Sequence, residues 1–244
     1  MRKPLTLLFI IAVLLMPAAA KNSQRSALGA PDMEKIARES TDPSSAHYYP
    51  KLYAKFMASD TTMTPEDFQF FYYGTMFQED YDPYREPVNP ELLQELQPIY
   101  AKEKRTRADR GKMLDYAIQV LEDNPIDLRQ LTNRIFVYEQ NRKTDLARIW
   151  QYKLNHLLLV IAASGNGSDP DNAIIVVYPQ HEYDFLNLSG MTAVSQRFEP
   201  PHFDYIEAQK TGSKNINGYY FNIEEMLNQY FDKHPSELPP DAGE

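Results

Sequence analysis

Apolar residues recur every three or four positions along most of the chain up to residue 164, then change to alternation and short runs. The first regime is that of amphipathic helices with a buried stripe, the second that of strands. Asp32 to Glu39 is predicted as a short helix, halted at T-D-P-S-S because Pro43 disfavours a helical residue before it. From Tyr48 to Met57, Tyr49, Leu52, Tyr53 and Phe56 fall at i, i+3, i+4 and i+7. In T-P-E-D-F, Thr64 is a helix N-cap, Pro65 takes the first helical position, and Glu66 and Asp67 suit the positive end of the helix dipole. That helix places Phe68, Phe71, Tyr72, Thr75 and Met76 on one face and Phe70 and Phe77 on another, a pattern that demands burial on two sides.

Asn89-Pro90 opens a further helix through Leu92, Leu93, Leu96, Ile99 and Tyr100. Residues 108–123 carry the stripe Met113, Tyr116, Ala117, Val120 and Leu121. After D-N-P-I-D comes a helix with Leu128, Leu131, Ile135 and Tyr138, and from Thr144 a long one with Leu146, Ile149, Trp150, Leu154, Leu157, Leu158 and Ile161. With Pro125 as the repeat proline, Leu131, Tyr138 and Ala147 occupy the large apolar, aromatic and small positions of a tetratricopeptide unit. Arg142 stands in the turn where that repeat has glycine, so the unit is degenerate.

Beyond Gly165, Ala173 to Tyr178 is predicted as a strand and His181 to Leu188 as a short helix or a turn. Thr192 to Phe198, Phe203 to Ala208 and Gly218 to Ile223 are strands separated by Pro200-Pro201 and T-G-S-K-N-I-N-G. Short connections imply antiparallel pairing. Asn222 caps a closing helix, Glu224 to Phe231. The expected class is α+β, a helical, degenerate tetratricopeptide-like N-terminal part followed by a small antiparallel sheet and a C-terminal helix. The expected organisation is a signal peptide over 1–20, a linker over 21–30, a helical region over 31–164, a sheet region packed on the helices over 165–234, and a disordered tail over 235–244.

Composition adds an address. Arg2 and Lys3, the apolar run Leu5 to Met16 and Ala18-Ala19-Ala20 before Lys21 make a secretory signal peptide, too short to span a bilayer. The chain has no cysteine, which excludes a lipid-anchored form and disulfides alike. A periplasmic or secreted protein is expected, with no later membrane insertion. The formal net charge is −9, and −11 once Arg2 and Lys3 are removed, which disfavours nucleic acid as a partner.

Candidate chemistry is sparse. S-G-N-G-S-D-P-D-N-A, Ser164 to Ala173, lacks the lysine of a phosphate loop, and an EF-hand register begun at Asn166 puts Val177 where a bidentate carboxylate belongs. It reads instead as a turn, with Gly165 as a left-handed helix cap and Asp169-Pro170 leading into a strand. H-E-Y-D-F at His181 lacks the second histidine of a zinc hydrolase, and Ser195, His202 and Asp204 lie near one another without a nucleophile elbow. The run Lys102 to Lys112 is a solvated helix junction, with a docking patch as the alternative. No catalytic, metal or cofactor residue is assigned. Tyr81, Tyr84 and Arg85, beyond the regular helical pattern, are candidates for an exposed partner-binding surface, and Thr61 in Asp60-Thr61-Thr62 for O-glycosylation.

The motifs Y-Y-G-T-M-F-Q-E-D-Y-D-P-Y, N-P-I-D-L, S-G-N-G-S-D-P-D-N-A, H-E-Y-D-F-L and G-Y-Y-F-N-I together resemble those of a family of exported Bacteroides-type proteins classed only as a domain of unknown function. The resemblance implies an envelope setting and supplies no activity. The expected function is a non-enzymatic protein-binding or scaffold module with an envelope protein or glycan as partner. An envelope hydrolase or glycan-processing enzyme and a glycan-binding protein are the alternatives.

Overall fold

The computed structural model describes residues 28–237, so the expected signal peptide, most of the expected linker and most of the expected tail lie outside the described residues. By its internal contacts the chain forms two compact units. One is residues 86–154, and the other combines residues 28–85 with 155–237. The first three helices fall in the same unit as the sheet.

The all-helical unit contains α4 (Pro90–Tyr100), α5 (Arg107–Asp123), α6 (Leu128–Gln140) and the start of α7 (Thr144–Ser164). Asn89, Thr106 and Asp127 each accept a hydrogen bond from a first-turn N–H, and Asp109 returns the bond to Thr106 in a capping box. Leu96, Ile99, Met113, Tyr116, Val120 and Val137 form a continuous core. The basic run is structural in part. Lys102 pairs with Asp109 at 2.7 Å, and the Arg105 guanidinium donates to the carbonyls of Ile99 and Tyr100 at the end of α4. Leu131, Tyr138 and Ala147 are all buried, as the repeat register requires.

The turn between α6 and α7 explains the missing glycine. Lys143 N–H donates to the Tyr138 carbonyl and Arg142 N–H to Glu139, the paired bonds of a Schellman motif. That motif needs a left-handed residue, and Arg142 takes it with φ +58°. An L side chain there pays a steric penalty that glycine avoids.

The second unit holds α1 (Met33–Thr41), α2 (Tyr49–Met57) and α3 (Pro65–Gly74), which tightens into a 3-10 turn over Thr75–Phe77. Thr64 and Asp67 form the expected capping box. Every residue from Phe68 to Gly74 is buried, so the two-sided aromatic pattern was the signature of an enclosed helix. Phe56 stacks near Phe71 at 4.6 Å, and Phe68 stacks on His156 at 4.5 Å.

The sheet has the order β1-β4-β3-β2, with β1 (Ile174–Ile175), β2 (Met191–Glu199), β3 (Phe203–Lys210) and β4 (Ile216–Asn222). β2, β3 and β4 are antiparallel as expected, but β1 runs parallel to β4, so the sheet is mixed. The predicted six-residue strand ends after two, and Pro179 takes the first helical position of α8 (Pro179–Leu188). α9 (Glu224–Lys233) closes the fold, and its Lys233 ammonium donates to the carbonyls of Gln78, Glu79 and Tyr81.

The loop before β1 is punctuation, with its glycine roles exchanged. Gly167, not Gly165, has the positive φ, at +72°. Gly165 is needed for space, since a Cβ there would sit 2.2 Å from the Ala173 carbonyl oxygen. The Asp169 carboxylate accepts from the Ser168 hydroxyl and from the Asn172 backbone and side-chain amides, and the Ser168 bond foremost lowers its pKa.

Arg142→Gly should raise unfolding free energy by about 0.5–1 kcal/mol. Urea denaturation of the two proteins measures it, and a destabilised glycine variant would contradict the strain assigned to this turn.

Candidate functional site

α8 packs along β2, and its first turn carries a row of polar residues into the interior. His181, Glu182 and Asp184 are buried, as is Asp204 on β3. The alternation of β3 puts Asp204, Ile206 and Ala208 on the inner face and Phe203, Tyr205, Glu207 and Gln209 on the other. Asp204 thus occupies a core position that an aliphatic residue would fill without cost.

Tyr72 of α3 and His181 share a hydrogen bond at 2.8 Å between Oη and Nδ1, and their rings stack. Tyr73 donates to the Ile175 carbonyl at 3.2 Å and Tyr81 to the Val177 carbonyl at 2.5 Å. Three tyrosines from the aromatic segment therefore fix the chain entering α8. Their burial pushes each phenol pKa up, as desolvation of a phenolate must.

Glu182 is fully enclosed, and neither of its oxygens has good hydrogen-bond geometry with any described residue. Its electrostatic neighbour is Asp204. Burial foremost, then the Asp204 charge and the hydrogen bonding between the two carboxyls, push the Glu182 pKa up to about 9. Glu182 therefore carries a proton at neutral pH. The pair is a neutral acid beside a second carboxyl in an apolar enclosure.

Around the pair the surface is aromatic. Tyr84 is 50% exposed, packs edge-on against Tyr230 at 4.8 Å, and has its phenol pKa raised by burial and by the Asp204 and Glu182 charges. Phe198, the cross-strand neighbour of Asp204, is 52% exposed. Tyr183, next to Glu182 on α8, donates to the Gln196 side chain on β2.

The sequence candidates fare differently. Tyr81 is a correction: it is 3% exposed, because its hydroxyl finds an acceptor in the Val177 carbonyl and its ring packs on Tyr178. Tyr84 is exposed, and the Arg85 guanidinium donates to the Asp80 carbonyl of its own loop. Thr61 lies on the surface, where Thr62 bonds back to Asp60. Ser195 donates to Glu207 on the outer face of the sheet, while Asp204 faces inward, so the two cannot share a catalytic centre. Among the described residues no group of three or more His, Asp or Glu is placed to hold a metal, and no helix is long and apolar enough to cross a membrane.

The carboxyl pair was not visible in the sequence. Glu182 reads as an ordinary acidic residue in a first helical turn, and its partner lies on a strand 22 positions later. One signal pointed to it: in F-D-Y-I-E-A, Asp204 alternates in phase with Ile206 and Ala208, a carboxylate on the core side of a strand.

The helices, the small mixed sheet and the closing helix make this an α+β chain. The family model described as a domain of unknown function (DUF4919) matches residues 34–232, and the chain belongs to that family. No curated protein and no solved structure matches it.

The sign of the pH dependence follows from the raised pKa. Between the ordinary glutamate range and about pH 9 the folded state holds a proton that the unfolded chain releases, so stability falls as pH rises through that window. Glu182→Gln removes this term and should be more stable than the parent at pH 8, by roughly 1–3 kcal/mol. At pH 4 the two should differ little. Urea unfolding at both pH values measures the effect, and an equal difference at pH 4 and pH 8 would contradict the buried, protonated acid.

Proposed function

We propose that the protein is an exported binding module of the bacterial envelope, and that its contact surface is the aromatic rim of the Glu182–Asp204 pair. Export, to the periplasm or beyond and without a lipid anchor, is supported by the N-terminal charge and apolar pattern and the absence of cysteine. The observation that carries the binding role is the exposure of Tyr84 and Phe198, each about half open, beside the buried Asp204. Aromatic side chains on a supported scaffold are the usual anchors of protein interfaces. Tyr84 is held by Tyr230, and Phe198 by its strand, so neither needs much ordering on contact. The partner favoured is an envelope protein.

A glycan-processing enzyme is the second reading, favoured by the protonated Glu182 beside a second carboxyl. Against it stands the enclosure of Glu182. That enclosure leaves Glu182 without access to a substrate oxygen.

The test is capture from extracts of the native envelope with purified wild-type protein and Tyr84→Ala as baits. A set of proteins retained by wild type and lost by at least about tenfold with Tyr84→Ala is expected, the loss typical of an interface anchor. Equal retention by both would remove Tyr84 from the surface, and glycan turnover abolished by Glu182→Gln would replace the binding reading with the enzymatic one.

A further inference from the structure

β2 is an edge strand. β3 pairs with one side of it, and among the described residues no backbone group from Thr192 to Phe198 bonds to any other element. The five residues from Val194 to Phe198 are all exposed, with Val194 at 48% and Phe198 at 52%. An open row of N–H and C=O groups beside exposed apolar side chains is a template for another strand. Natural edges are blunted by proline, charge or bulges; this one carries one bulge, at Val194 near its start, and runs in regular register from Ser195 to Glu199.

The strand's own sequence selects its partner. In M-T-A-V-S-Q-R-F-E the only charges are Arg197 and Glu199, which already pair within the strand at 2.6 Å. The exposed segment is therefore electrically neutral in a strongly acidic chain, so it offers nothing to attract a charged peptide. It does match itself. An antiparallel pairing about a twofold axis at Gln196 sets Val194 opposite Phe198 of the second copy, Ser195 opposite Arg197, and Gln196 opposite Gln196. Each exposed apolar residue then faces another, and no like charges stand directly opposed. The pairing is isologous and closes after two copies, which prevents open-ended growth.

We propose that two copies of this chain associate through antiparallel pairing of β2 about Gln196, joining their sheets into one. This goes beyond the partner-binding reading and does not rest on it, since it needs purified protein only. The interface is small, so the dimer is a reversible one whose population depends on concentration.

Sedimentation equilibrium of the protein from Lys21 to Glu244, from micromolar to hundreds of micromolar, tests it. A monomer–dimer equilibrium is expected. The double variant V194K/F198K, which sets lysine opposite lysine twice, should weaken it by about tenfold or more. V194K/F198E sets lysine opposite glutamate twice in the same register and should restore most of the association. Both variants change exposed positions, and matching thermal melts by circular dichroism confirm that they fold. A parent that stays monomeric throughout the range overturns the proposal, as do two double variants that behave alike. Phe198 belongs to both surfaces, so capture is read with Tyr84→Ala in the parent β2 background; a monomeric parent would leave that experiment standing, and failure of the capture would leave the dimer standing.

Discussion

A helix that is apolar on all sides has to be enclosed by chain from elsewhere, and α3 sets this condition for the sheet-bearing unit. Its buried aromatic run includes Tyr72 and Tyr73, whose hydroxyls cannot be left without partners in an apolar interior. The partners come from the segment that leads from β1 into α8: the Ile175 carbonyl and His181, with the Val177 carbonyl taken by nearby Tyr81. These bonds span about a hundred residues of sequence, and they fix the short β1, the start of α8 and the orientation of its first turn together. Burial supplies the driving force, and the hydroxyls supply the register.

The acid pair is a consequence of that register. With His181 anchored on Tyr72, the next residue, Glu182, is turned into the interior toward β3, where Asp204 occupies a core-facing position. An enclosed carboxyl with a like-charged neighbour keeps its proton, so the pair is electrically quieter than two acids would suggest. The same geometry leaves Tyr84 and Phe198 on the outside of the pair. The acids are thus enclosed while these two aromatic side chains stay half exposed.

Much of this architecture was legible in the residues. Thr64, Asn89 and the aspartate of D-N-P-I-D mark helix starts because side-chain oxygens at those positions satisfy first-turn N–H groups, a local requirement that sequence displays directly. The two-faced pattern of α3 announced its enclosure. What stayed hidden depends on distant chain. Tyr81 looked like a surface residue because its acceptor lies 96 residues away. The strand from Ala173 was read too long because Pro179 acts on its end through the following helix, and its parallel pairing with β4 arises only from the complete sheet order. Arg142 marks an intermediate case: the missing glycine was evident, and the structure shows the arginine holding the left-handed conformation itself.

The most direct test of this account is the unfolding free energy of Tyr72→Phe and Tyr81→Phe, each compared with the parent by urea denaturation. Both substitutions keep the ring and delete one hydroxyl, so packing is preserved and only the tether to residues 177–181 is lost. Removing one partner of a buried hydrogen bond costs about 1–3 kcal/mol, and a loss of that size is predicted for each variant. Stabilities equal to the parent in both would show that the tyrosine hydroxyls do not set the register of this unit.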